Sequence, residues 1–218
     1  MSRRAVLKEQ RREAVREQIL DATRRVVLER GVSGLTLSAV AKELELTKAA
    51  LYYYFASKED LVFELVYQAH ADHAEAVGAA VAATSTGAGA VEALIRATSA
   101  YFSDHMGALR LAFMAPQVGP HLRMKPEALE RVRPFNELLF GAVAERIRLD
   151  QEAGRIPAAV DGRRLAFVAH TSVLGMMMME GLVELADDPL IHSHGAMVDE
   201  LVASFTCRLA QGRPPEAS

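Results

Sequence analysis

The sequence predicts an all-α fold, and three observations carry that prediction. Apolar residues recur at three- and four-residue spacing in almost every segment, and no segment alternates as a strand would. Polar residues fit to cap helices stand just ahead of several of these segments, at Thr36, Thr47, Ser57 and Asp161. Breaks rich in glycine, proline or serine separate the segments, without repeats or low-complexity tracts. The 218 residues, half of them apolar, suffice for a proper core.

The elements follow in order. The stretch "VREQILDATRRVVLERG" places Val15, Ile19, Ala22, Val26 and Val27 on one stripe with charges opposite, and Gly31 supplies a stop. A short second helix starts at the cap Thr36 and turns Leu37, Val40, Ala41 and Leu44 inward. Thr47 caps a third over residues 48–54, and Ser57 with Asp60 opens a fourth in the manner of a capping box. That helix is expected to run to a loop over Thr84 to Gly89, followed by a helix in "AVEALIRATSAYFSDHM". "APQVGPHLRMKP" reads as irregular, and a long helix begins near Pro126 with Pro134 as an early kink. Asp161 caps a helix expected to reach about Ala186, and a last helix spans 196–210.

Charge and composition narrow the function. Net charge is −3, yet residues 1 to 30 carry nine Arg or Lys against five Asp or Glu, so any polyanion is expected to bind near the N-terminus. A single cysteine, Cys207, forbids an internal disulfide, and no secretory leader opens the chain. No uncharged apolar run is long enough to span a bilayer, Leu165 to Met179 coming nearest. A cytoplasmic protein without membrane association is the expectation.

"TKAALYYYF", residues 47–55, sets three tyrosines in succession. Buried phenols would each need a hydrogen-bond partner, so this density points to a surface that meets something polar. Helix, tight turn and helix with a polar-started second member is the arrangement that lays a helix in the DNA major groove. There Ala49 and Ala50 allow close approach, Lys48 can donate to guanine or to phosphate, and Tyr52 and Tyr53 can clamp phosphates.

The stretch "ILDATRRVVLERGVSGLTLSAVAKELELTKAALYYYFASKEDLVFEL", residues 19 to 65, resembles the N-terminal domain of the TetR family of bacterial transcriptional regulators. Its most specific parts are "LTLSAVAKEL", "TKAALYYYF" and "SKEDL" at their mutual spacing. The resemblance implies an N-terminal helix-turn-helix three-helix DNA-binding domain over 1–57 and a larger helical ligand-binding and dimerisation domain over 58–218, paired as an Ω-shaped homodimer. It implies a repressor that binds a double-stranded operator until a small effector releases it. By position, Thr36 and Ser38 match the start of the second helix, where phosphate and at times a base is touched. Lys48, Ala49 and Tyr52 match positions that face bases, and Thr47, Tyr53 and Lys58 match backbone contacts. Two residues depart from the pattern. Glu45 replaces the usual turn glycine, so a left-handed backbone there would cost about 1 kcal/mol, and Tyr54 replaces a frequent histidine.

In the second domain the expected ligand-lining residues are Phe102, Met106, Leu109, Phe113, Met114, Phe135, Leu138, Leu139, Phe167, His170, Leu174 and Met178, a set that fits a hydrophobic or amphipathic effector. "MMMM", 176–179, wraps a helix circumference and cannot form one ligand patch, so that helix needs more than one buried face. The dimer seam is therefore expected at Ser172, Gly175, Met176 and Met179, with Met197, Leu201, Phe205 and Arg208 of the last helix. His70 with His73, and His192 with His194, have spacing that could contribute to a metal site, but no third ligand is fixed, and no metal or cofactor is expected. Nucleophile elbow, P-loop, dinucleotide and zinc-enzyme motifs are missing, so no enzyme is expected. The rival readings are a DNA binder without a ligand and an enzyme with a vestigial head.

Overall fold

The structure, a computed structural model, describes residues 3–109, 126–180 and 192–211. All regular structure among the described residues is helical. The chain divides into two compact units, Met1–Ala69 with Met106–Lys125, and His70–His105 with Pro126–Ser218.

The first unit holds α1 (Arg3–Gly34), α2 (Leu37–Glu43), α3 (Lys48–Tyr54) and the start of α4 (Lys58–Ala82). Ile19, Leu20, Val26, Leu35, Val40, Leu51 and Leu61 are fully or almost fully buried in one cluster. α1 begins twelve residues before the apolar stripe at Val15, because residues 3–14 are mostly good helix formers and stay exposed. Gly31, expected as its stop, instead interrupts it with φ 69°.

Threonine and serine caps fix the three short connections. Thr36 Oγ1 accepts from the Ala39 N–H at 3.1 Å, Thr47 Oγ1 from Ala50 at 3.1 Å, and Ser57 Oγ from Asp60 at 3.0 Å. α2 closes when the N–H groups of Leu46 and Glu45 bond to the carbonyls of Ala41 (2.9 Å) and Lys42 (3.3 Å), a Schellman turn. This turn requires a left-handed residue, and Glu45 supplies it at φ 54°, as the replaced glycine led one to expect.

The second unit is built around α5 (Gly87–Asp104), which packs against three later helices. α6 (Pro126–Asn136) passes through a π-helical segment (Glu137–Gly141) into α7 (Ala142–Glu152), and α8 (Gly162–Glu180) and α9 (His194–Gln211) follow. Pro134 lies inside α6, where it has no N–H for the preceding turn; the π segment begins three residues later. Residues 87–89, read from sequence as loop, are helical because Thr86 Oγ1 caps α5 from the Gly89 N–H at 3.0 Å. Asp161 caps α8 through the Arg164 N–H at 3.0 Å. The expected extension of that helix to Ala186 lies outside the described residues. Ser193 caps α9 through Ala196 at 3.3 Å, two residues ahead of the expected start.

The start of α5 and the end of α7 are locked together. Asp150 is buried, accepts from the Gly87 N–H at 2.8 Å and receives Arg155 Nη2 at 2.6 Å. Burial pushes this carboxyl up, but the Gly87 N–H and the Arg155 guanidinium outweigh it and hold it below the usual range. A side chain at Gly87 has no room, since a Cβ would meet Ile156 Cδ1 at 2.8 Å and Ile147 Cα at 3.0 Å. α7 ends in the same Schellman turn as α2, with Arg155 N–H to Asp150 O at 2.8 Å and Gly154 left-handed at φ 71°.

Candidate nucleic-acid interface and buried polar cluster

In the first unit the short third helix has one face for the core and one for solvent. Leu51 and the following Phe55 are buried, whereas Lys48, Ala49, Tyr52 and Tyr53, at positions i, i+1, i+4 and i+5, are exposed. Tyr53 is 67 % exposed and Tyr52 47 %. Lys48 Nζ stands 5.8 Å from the Tyr52 ring centroid, an arrangement that steadies the ammonium outside the fold. Thr36, Ser38 and Thr47 are exposed as well, and Lys58 is half-buried at the first position of α4. A threonine hydroxyl that accepts a cap N–H keeps its own proton for an external acceptor, so Thr36 and Thr47 can cap and still donate to phosphate.

Tyr54 has a different place from its two neighbours. It is half-buried against the core and meets Tyr53 edge to face at 5.1 Å. Arg16, one of the N-terminal arginines, is taken up by the fold: its guanidinium lies 4.6 Å over the Phe55 ring and pairs with Glu64 at 3.3 Å. Residues 3–14 form an exposed helical face.

The second unit buries what the first exposes. His73 on α4, Thr98 on α5 and His170 on α8 converge, with His73 Nε2 at 3.1 Å from Thr98 Oγ1 and His170 Nδ1 at 3.5 Å from the same oxygen. The two imidazoles stack at 5.2 Å, His73 packs on Phe102 at 4.8 Å, and Phe140 meets His170 at 5.5 Å. Burial lowers the His73 pKa to about 3, helped by repulsion from His170 and His70, and that of His170 to about 4, helped by His70. Both are neutral at pH 7. His73 Nδ1 is buried without a hydrogen-bond partner among the described residues.

Among the expected ligand-lining residues, Phe102, Leu139, His170 and Leu174 are buried in this unit. Phe135 and Met178 are half-buried, while Leu138 and Phe167 are exposed. Met106 and Leu109 belong to the first unit, and Phe113 and Met114 lie outside the described residues. Thr98 was not singled out from the sequence, and His73 was weighed only with His70 as a contributor to a metal site, not as a ligand-lining residue. Their signal was a histidine and a threonine on the inward stripes of otherwise apolar helices.

Of the residues expected at a seam, Gly175, Met179 and Arg208 are exposed, and Ser172, Met176, Met197, Leu201 and Phe205 are half-buried. With Phe167, 53 % exposed, Val168 and Met179, 60 % exposed, α8 presents an open apolar stripe, and a Cβ at Gly175 would meet nothing within 4 Å. Cys207 is exposed on α9.

A second polar chain links three helices. Ser99 Oγ lies 2.6 Å from His194 Nε2, and His194 Nδ1 lies 2.7 Å from Glu180 Oε2. The order of groups is that of a hydrolytic triad, but Ser99 is buried in mid-helix, where the adjacent N–H groups are committed to helical bonding and cannot hold an oxyanion. The chain ties α5, α8 and α9 together. No group of three metal-ligating side chains occurs among the described residues, and no helix there is long and apolar enough to cross a membrane.

Comparison with known proteins bears on the same regions. Residues 19–65 match the family of bacterial regulatory proteins described as tetR family. The HTH-type transcriptional regulator Rv1816 of Mycobacterium tuberculosis is 26 % identical over 160 residues, covering 71 % of this chain and 68 % of that protein. A tetR-family regulatory protein of Rhodococcus RHA1 has a similar fold, with a TM-score of 0.69 at 14 % identity over 89 % of this chain and 96 % of that one. So does AibR, solved in complex with isovaleryl coenzyme A and operator DNA, with a TM-score of 0.62 at 20 % identity over 87 % and 96 %. The family match covers the capped helix-turn-helix and the outward α3, so over residues 19–65 the chain is similar to the tetR family of bacterial regulatory proteins.

Proposed function

We propose that this chain is a TetR-family transcriptional repressor that binds a pseudo-palindromic operator as a homodimer and leaves it when a hydrophobic or amphipathic small molecule enters the second unit. The observation that carries the reading is the outward set on α3: Lys48, Ala49, Tyr52 and Tyr53 face solvent while Leu51 holds the helix to the core. Phosphate contacts from Thr36, Ser38, Thr47, Tyr53 and Lys58 supply affinity, and Lys48, Ala49 and Tyr52 read bases. The chain acts in the cytoplasm and catalyses nothing.

Pairing is supported by the open apolar stripe of α8. A symmetric interface there, with α9, covers Phe167, Val168 and Met179 and presents two DNA heads to two half-sites. A ligand-free second unit and a ligand-bound one must differ in how they favour the DNA-binding state, because a ligand of equal affinity for both shifts nothing. That AibR was solved with both an acyl-coenzyme A and operator DNA supports an effector with an apolar portion.

Selection of duplexes from a random pool by the purified chain tests the reading. Enrichment of a site with two inverted half-sites is expected, with its affinity lowered by an effector; a single half-site bound by a monomer contradicts it. Gly175→Glu combined with Met179→Lys is expected to give monomers or aggregates in sedimentation and to abolish binding to the paired site. A normal dimer from that double variant places the seam elsewhere.

A further inference from the structure

We propose that His73, Thr98 and His170 form the polar end of the effector site, and that this end takes an uncharged hydrogen-bonding group, a hydroxyl or a carbonyl, in preference to a carboxylate or an ammonium. The inference rests on the second unit being the effector-binding one, and it adds the chemical class of what is bound there.

The first ground is the unfilled atom. A neutral imidazole has one donor and one acceptor nitrogen, and His73 uses Nε2 on Thr98 at 3.1 Å. Its Nδ1 is left buried with no partner among the described residues, although a buried polar atom without a partner forfeits its hydration. A ligand group that bonds there recovers that loss.

The second ground is the chain of three. The Thr98 hydroxyl can donate to one imidazole while accepting from the other. When His73 Nε2–H donates to Thr98 and Thr98 donates to His170 Nδ1, His73 Nδ1 is an acceptor that suits a hydroxyl. With the direction reversed, Nδ1 carries the proton and suits a carbonyl. Either neutral partner is met without net charge.

The third ground is the absence of a counter-charge among the described residues. There, the titratable groups around His73 are His70 on its own helix, Tyr101 on α5 at 5.4 Å between rings, and His170 on α8. No Asp, Glu, Lys or Arg bonds to either imidazole among the described residues. Both rings resist protonation through burial, so at neutral pH no imidazolium awaits an anion. A carboxylate would enter uncompensated or bring a proton, and an ammonium would lose its hydration among aromatic rings.

The test uses the full chain and three probes of one length, 1-octanol, octanoate and octylammonium, with affinities from calorimetry at pH 7.5. Octanol is expected to bind about tenfold more tightly than either ion, and His73→Phe and Thr98→Val are each expected to weaken it roughly fivefold to tenfold. Side-chain 1H–15N spectra of the wild type give a readout that needs no variant: the His73 Nδ1 signal moves on addition of octanol while the ring stays neutral. Tightest binding by octanoate or octylammonium, a protonated His73 in the complex, or no binding of octanol overturns the proposal. Octanol binding as expected with no change in affinity for a selected duplex sustains this site chemistry and removes the effector reading instead.

Discussion

The two units dispose of their polar side chains in opposite ways. In the first, the core among the described residues is apolar apart from Thr23, whose hydroxyl is spent on the Ile19 carbonyl at 2.7 Å, and the chemically active groups of α2 and α3 point outward. In the second, His73, Thr98, Ser99, Asp150 and His170 are all buried. Outward groups are free to exchange water for a polyanion, and they contribute little to folding. Inward groups must be satisfied or kept neutral, so they tie the stability of the unit to pH and to occupancy. The surface proposed to meet DNA and the interior that carries polar chemistry therefore answer to different perturbations.

Acid sharpens this contrast most. Native His73 and His170 stay neutral far below the ordinary histidine pKa, while the unfolded chain takes up both protons below about 6.5. Their contribution is thus fully present above about pH 6.5 and is lost as pH falls toward about 4 for His170 and about 3 for His73. The expected loss is roughly 1.4 kcal/mol per pH unit for each histidine. Hydrogen exchange of α5 compared with α2 reads it: α5 is expected to lose protection first, and a His73→Phe, His170→Leu double variant flattens the slope. Equal loss in both helices breaks the contrast.

Asp150→Ala comes next. It leaves the Gly87 N–H buried without its acceptor and Arg155 without its partner, and it is expected to cost about 2 to 3 kcal/mol in the denaturant midpoint. Lys48→Ala, on the exposed side of the first unit, is expected to leave that midpoint within about 0.5 kcal/mol.

The smallest effect compares the same turn in both units. Glu45 and Gly154 occupy equivalent left-handed positions in two Schellman turns. Glu45→Gly is expected to stabilise by up to about 1 kcal/mol and Gly154→Ala to destabilise by a similar amount, read by thermal unfolding. The same sign for both substitutions contradicts the shared geometry.

Local chemistry explains how much was legible. Thr36, Thr47, Ser57 and Asp161 are caps where the sequence placed them, because a cap and the N–H it serves lie three residues apart. The faces of α3 follow from helical spacing alone. Thr86 was hidden by the glycines that follow it, and the π segment by the absence of any local signal beyond Pro134. The His73–Thr98–His170 convergence spans separations of 25 and 72 residues, which periodicity does not encode. Arg16 likewise gave no sign that it would lie on Phe55 rather than in a solvated charge run.

The role of α3 as the DNA-reading element is tested most directly by the affinity of Lys48→Ala and Tyr52→Phe for a selected duplex and for single-base variants of it, alongside thermal unfolding. Both variants are expected to bind more weakly with unchanged unfolding. Lys48→Ala is expected to lose about 1 to 3 kcal/mol of discrimination at one base pair if the lysine reads guanine. Unaltered binding by both variants contradicts the assignment of α3.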